Sequence, residues 1–158
     1  MSAAPTTIVA RDSSFAFPHP ADPEAWRQGM DPANTPPCSR ELGLKVIEIN
    51  RTLGTAVLEF NPDGRFLNPI GTIQGGIVAA MLDDTFSIAI LAATDVNTAA
   101  PTLEMKVSFF RSALPGKLTG RGRMVHMGKS TGFCESELYD EQGQLIAKAS
   151  ATVALRKT

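Results

Sequence analysis

The sequence predicts an α+β fold in which a curved antiparallel sheet of about six strands wraps one long central helix, and three observations carry that prediction. Residues from Gly75 to about Ala92 are rich in Ala, Leu, Met and Ile, with polar side chains only at Asp83, Asp84, Thr85 and Ser87. A helix apolar nearly all round is a buried helix. Four long runs follow it, PTLEMKVSFFRS, KLTGRGRMVHM, GFCESELYDE and QLIAKASATVALR, each with partial alternation of apolar and polar residues. That is the period of strands with one face covered. Gly116, Gly128 and Gly143 stand in the breaks, and Asp140-Glu-Gln-Gly143 is a hairpin signal. Both needs are met if the sheet curls over the helix.

Taken in order, the chain opens with a segment unlike the rest. Seven of the 11 prolines fall in the first 40 residues, where Phe15, Phe17 and Trp26 are scattered without period. We read residues 1–40 as a Pro-rich extension and 41–158 as one domain. Within the extension a short helix is expected at Pro23 to Met30, since Asp22 suits the cap and proline the first helical position. LKVIEIN and TAVLEF are then two strand-like runs joined by Arg51-Thr-Leu-Gly54, and Asn61-Pro-Asp-Gly64 marks a turn. The central helix and the four runs complete the domain.

Composition excludes several classes of partner. With 158 residues and 43% hydrophobic content the chain can bury a real core, and 15 Lys and Arg against 16 Asp and Glu leave no electrostatic footprint for nucleic acid or an anionic membrane. Any anionic ligand must be met by a local cluster. Cys38 and Cys134 have no metal-like spacing and are read as reduced thiols. The N-terminus lacks a basic region followed by an apolar run, and no run of about 18 apolar residues is evident. The expectation is a cytoplasmic protein that neither spans nor binds a membrane.

Asp83 and Asp84 are the residues that need explaining, because acids are almost never buried without a partner. They lie about 100° apart round the helix, so only one can face a given cleft. Asp84 is expected to be solvated or paired with an arginine. Asn68-Pro-Ile-Gly-Thr-Ile-Gln-Gly-Gly76, followed by an apolar helix with Asp83 at its middle, resembles the signature of the hotdog-fold acyl-CoA thioesterases, in the PaaI-like branch of the 4-hydroxybenzoyl-CoA thioesterase superfamily. That pattern is Asn or Gln, a short spacer, Gly-x-x-His-Gly-Gly, then an acid nine residues after the His. The chain has the Asn, the Gly-Gly and the acid, with Gln74 at the histidine position. The resemblance extends over roughly residues 42–156, including the turn Phe110-Arg-Ser-Ala-Leu-Pro-Gly116, and does not reach the first 40 residues.

The resemblance implies a hotdog fold and hydrolysis of a small aromatic or short-to-medium acyl-CoA, with no metal or other cofactor. It places Asp83 as nucleophile or general base, the Gly75 N–H as the donor that polarises the carbonyl, and Asn68 on the water or the thioester. Gly76 is expected to offer a second N–H at the same oxyanion site, and Thr102 could help hold the water. The chemistry is sound, since free N–H groups at a helix N-terminus meet developing negative charge. Gln74 offers a donor and an acceptor without charge. Ser87, one turn beyond Asp83, either lines the acyl pocket or bonds its own helix backbone.

For the phosphates of coenzyme A the candidates are Arg111, Lys117, Arg121, Arg123 and Lys129, the turn Gly128-Lys-Ser-Thr131 first, with Ser130 beside Lys129. Met81, Phe86, Phe109 and Phe110 are candidate pocket walls. His19 and His126 are expected to be structural or exposed. Eight helical residues rise about 12 Å, so Gly75 and Asp83 of one chain cannot reach one carbonyl group. A homodimer is therefore the expected active unit, and the resemblance extends this to a homotetramer. Two other readings are a hotdog protein that binds acyl-CoA without cleaving it, and a hotdog hydratase or dehydratase, which would want a histidine near the acid.

Overall fold

Among residues 35–94 and 98–157, which the computed structural model describes, the chain runs through helix α1 (Pro37–Glu41), strands β1 (Lys45–Asn50) and β2 (Thr55–Phe60), a 3-10 turn at Gly64–Phe66 and helix α2 (Gly75–Ala93). Strands β3 (Thr98–Ala99), β4 (Thr102–Phe109), β5 (Leu118–Met127), β6 (Thr131–Tyr139), β7 (Leu145–Ala154) and β8 (Arg156–Lys157) follow. The helix expected at Pro23 to Met30 lies outside the described residues. The α1 helix straddles the boundary drawn at residue 40.

Six strands form one antiparallel sheet in the order β1-β2-β5-β6-β7-β4. The expected hairpins are present. Between β1 and β2, the Leu53 N–H donates to Asn50 Oδ1. Between β6 and β7, Asp140 Oδ1 accepts from the N–H groups of Gln142 and Gln144, and Gly143 takes φ 73°, which favours glycine. The small β3–β8 pair was not anticipated.

The α2 helix crosses the inner face of the sheet, chiefly against β5, β2 and β6. By length and composition it is also long and apolar enough to cross a membrane, which corrects the expectation of no such run. In this fold its apolar surface meets the sheet: Val78, Met81, Leu82, Phe86, Ala89 and Ile90 are buried against inward-facing Leu58, Phe60, Leu138, Ala147 and Val153. Burying each large apolar side chain contributes roughly 1.5–3 kcal/mol. The helix approaches β5 closely because Gly120 and Gly122 face it. A Cβ on Gly122 would fall on the Thr85 carbonyl oxygen and lie 3.2 Å from the Phe86 Cα.

The β4 strand is an edge. It pairs with β7, and its other side has no partner strand among the described residues. Met105 and Val107 pack against the core, whereas Leu103 and Phe109 are 58% and 54% exposed.

Candidate active site

The loop before α2 is built by Asn68. Its Oδ1 accepts the N–H groups of Ile70 and Thr72, both at 3.1 Å, and its Nδ2 donates to Thr72 Oγ1 at 2.8 Å. The side chain expected on a water or thioester therefore closes its own loop. Gln74 caps the helix: its Oε1 accepts from the Gly76 N–H at 2.5 Å and the Ile77 N–H at 3.2 Å. That satisfies donors which every helix N-terminus leaves open. Gln74, expected to touch substrate, thus has its oxygen engaged by the helix, and Gly76 is no free donor. Only Gly75 in this turn keeps an N–H without an acceptor among the described residues. The Phe109 ring lies 3.6 Å from where a Gly75 Cβ would stand.

Asp83 is half-buried two turns further along and accepts from Thr102 Oγ1 at 2.9 Å. A bulge makes this contact possible. Thr102 pairs with Val153 and Glu104 with Thr152, so two steps on β4 match one on β7. Regular alternation would turn Thr102 outward, but the extra residue Leu103 returns it to the inner face beside buried Val153. The threonine hydroxyl thus donates to the acid, and its oxygen keeps the capacity to accept from a water.

Asp84 is only partly exposed and is not paired with an arginine among the described residues. It is half-buried against α1, beside Ser39. Burial raises its carboxyl to about 6; the Ser39 hydroxyl acts the other way and the Asp83 charge adds to the rise. This partner was illegible because 45 residues separate Ser39 from Asp84. Cys134 lies on the inner face of β6 and donates to the Ala151 carbonyl at 3.4 Å. Burial first, then the charges of Asp83 and Glu135, push its thiol up to about 12.

The chain sorts its candidates into two groups. Asn68, Gln74, Gly75, Gly76 and Phe109 gather at the N-terminus of α2. Arg111 is near that end too, since its N–H, like that of Phe110, donates to the Ile146 carbonyl. Asp83 and Thr102 meet at the other end of β4, with Ser87 one turn beyond. Lys129 and Ser130 belong to this second end: the Leu155 N–H donates to the Ser130 carbonyl, and Thr131 pairs with Ala154, one residue past the partner of Thr102. The seven steps along the strand from Thr102 to Phe109 span about 23 Å.

Of the other cations, Lys117 pairs with Glu59 at 2.7 Å and Arg123 with Glu135 at 2.5 Å, while Arg121 lies over the Tyr139 ring. Neither Arg111 nor Lys129 has an ion-pair partner among the described residues. Met81 and Phe86 are fully buried in the core, so they do not line an open cleft in this chain. His126 is exposed on β5 opposite Phe133. No group of three or more His, Cys, Asp or Glu among the described residues is placed to hold a metal ion.

The thioesterase superfamily profile matches residues 70–147, from the loop before α2 into β7. A Saccharolobus solfataricus protein whose name assigns it provisionally to the esterases is 30% identical over 117 residues, 74% of this chain and 81% of its own length. The chain belongs to the thioesterase superfamily. Within that superfamily it is similar to the acyl-coenzyme A thioesterase PaaI of Escherichia coli, 25% identical over 125 residues, which cover 78% of this chain and 86% of the relative. Among solved structures, a thioesterase-like phenylacetic acid degradation-related protein of Ralstonia eutropha superposes with a TM-score of 0.72 at 29% identity, covering 81% of this chain and 98% of that one. The thioesterase is thus a PaaI-like hotdog protein and a thioester hydrolase.

Proposed function

We propose that this thioesterase hydrolyses a small aromatic or short-to-medium acyl-CoA to the free acid and coenzyme A, at sites shared between two copies of the chain. The observation that carries this reading is the division of the chemistry. The free N–H of Gly75 and the Asp83–Thr102 pair lie at opposite ends of β4, and β4 is an open edge. Antiparallel pairing of two β4 strands about a two-fold axis between Met105 and Lys106 would set Thr102 of one copy opposite Phe109 of the other. Asp83, bonded to Thr102, then approaches the partner subunit's Gly75, which lies beside its own Phe109. Two equivalent sites result.

The chemistry of such a site follows from its donors and acceptors. Thr102 donates to Asp83 Oδ1, leaving Oδ2 to act. As general base, Oδ2 takes a proton from water while the water oxygen attacks the thioester carbon. Negative charge then develops on the carbonyl oxygen, where the Gly75 N–H and the positive end of α2 stabilise it. Collapse breaks the C–S bond, and the departing thiolate recovers the proton from Asp83. As nucleophile, Asp83 would instead attack the thioester carbon, the C–S bond would break with departure of the coenzyme A thiolate, and water would open the resulting acyl anhydride, releasing the acid and the proton that the thiolate takes up. Lys129 and Ser130, at the Asp83 end, are placed for the phosphates of coenzyme A, with Arg111 of the partner subunit a second cation. Thiol release from a panel of acyl-CoAs tests the reading: turnover with aryl or short-to-medium acyl groups is expected, and no turnover above background with any of them would refute it.

A further inference from the structure

We infer that Ser136, a buried residue of β6 with no expected contact with substrate, is a positioning residue for Asp83. This rests on Asp83 being the catalytic acid. Ser136 is 1% exposed, and its hydroxyl donates to the carbonyl of Leu82 at 2.9 Å. That carbonyl immediately precedes Asp83, and 54 residues separate donor from acceptor. A buried hydroxyl must find a partner, but nothing requires the partner to be a helix carbonyl, which already has an acceptor role within α2.

The same turn is held at two further points. Thr85 donates to the Met81 carbonyl at 2.6 Å, so two successive carbonyls, of Met81 and Leu82, each receive a side-chain hydroxyl. The Thr85 side chain and backbone rest on Gly120 and Gly122, where a Cβ on either glycine would collide with Thr85. Contact with two glycines limits how close the helix comes to β5, yet it offers little resistance to a roll about the helix axis. The Ser136 bond does resist a roll, because it is directional and reaches the helix from the adjacent strand.

The lever is large enough to matter. A side-chain tip lies about 5–6 Å from the helix axis, so a roll of about 10° moves the Asp83 carboxylate by ~1 Å. Misplacement of that size can lower a rate by as much as 10²-fold. It would also break the 2.9 Å bond from Thr102, which tolerates little lengthening. Three strands therefore set the acid: β4 by Thr102, β5 by its glycines and β6 by Ser136.

The test compares Ser136→Ala, Ser136→Cys and Asp83→Asn with the parent on the best acyl-CoA of the panel. For Ser136→Ala, kcat should fall about tenfold, since the bond from Thr102 still holds Asp83. KM, the affinity for a non-hydrolysable acyl-CoA thioether and the melting temperature should stay close to the parent, and Ser136→Cys, with a weak donor of similar shape, should recover part of the loss. Unchanged kcat in Ser136→Ala, or a loss of kcat matched by losses of thioether affinity and melting temperature, overturns the positioning role while Asp83→Asn remains inactive. Full turnover by Asp83→Asn would instead overturn the choice of acid, and the positioning role with it.

Discussion

At the scale of single residues, the account depends on one N–H. Gly75 holds the first helical position, where proline is well tolerated because the N–H has no partner inside the helix. Gln74 before it has φ −61° and ψ 137°, the extended backbone that a residue preceding proline prefers. Gly75→Pro therefore deletes the donor while respecting the backbone. Turnover should fall about 10²- to 10³-fold with the circular dichroism spectrum and melting temperature retained; near-normal kcat would show that the carbonyl is polarised elsewhere. Asp84 makes a contrasting prediction. Between 3.8 and about 6 the folded chain holds a proton that the unfolded chain has released, so stability falls as pH rises through that window and remains lower above it. The linkage amounts to roughly 3 kcal/mol at most by pH 7. Asp84→Asn should thus raise the melting temperature at pH 7.5, flatten its dependence on pH between about 4 and 6, and leave kcat within a few-fold. A melting temperature at or below the parent's would contradict this account of the buried charge.

At the scale of elements, the helix and the six main strands were legible because α2 lacks a polar stripe and the strands alternate. The reach of Asn68 was less so. Its Asn-Pro sequence reads as a turn, and a turn is what its side chain builds, while the resemblance had placed it on substrate. The inward aim of Thr102 was hidden, since a bulge at Leu103 has no signature in Thr-Leu-Glu. Ser136 and Ser39 were missed because both sit in ordinary local sequence and act across long separations. The glycines of β5 have no role legible in KLTGRGRMVHM, and their purpose appears only with the helix against them. Gly122→Ala drives a methyl group into the backbone of Thr85, with its carbonyl carbon 2.9 Å away. A loss of about 2–3 kcal/mol is expected in denaturant unfolding, and a loss below about 0.5 kcal/mol would mean that the helix stands further from β5 than described.

At the scale of the whole molecule, the outer face of the sheet carries charged side chains on its central strands, with Phe133 exposed among them. Arg123, Lys148, Glu135 and Glu137 form a partly exposed network there, and ion pairs near the surface contribute little stability each. Large apolar side chains are exposed on and beyond β4, at Leu103, Phe109, Phe110 and Leu114, and also at Ile47 on β1, Val125 and Met127 on β5 and Phe133 on β6. An unpaired edge with such side chains is a liability unless another chain covers it, which is why the proposed dimer and the proposed chemistry coincide. The most direct measurement mixes Asp83→Asn chains with Gly75→Pro chains and follows thiol release, with subunit exchange verified by native mass spectrometry. Each mixed dimer joins an intact Asp83 from one chain to an intact Gly75 from the other at one of its two sites. With random exchange about one quarter of parental activity should return. Activity that stays at the level of the separate inactive variants, with exchange complete, would show that each chain builds its site alone.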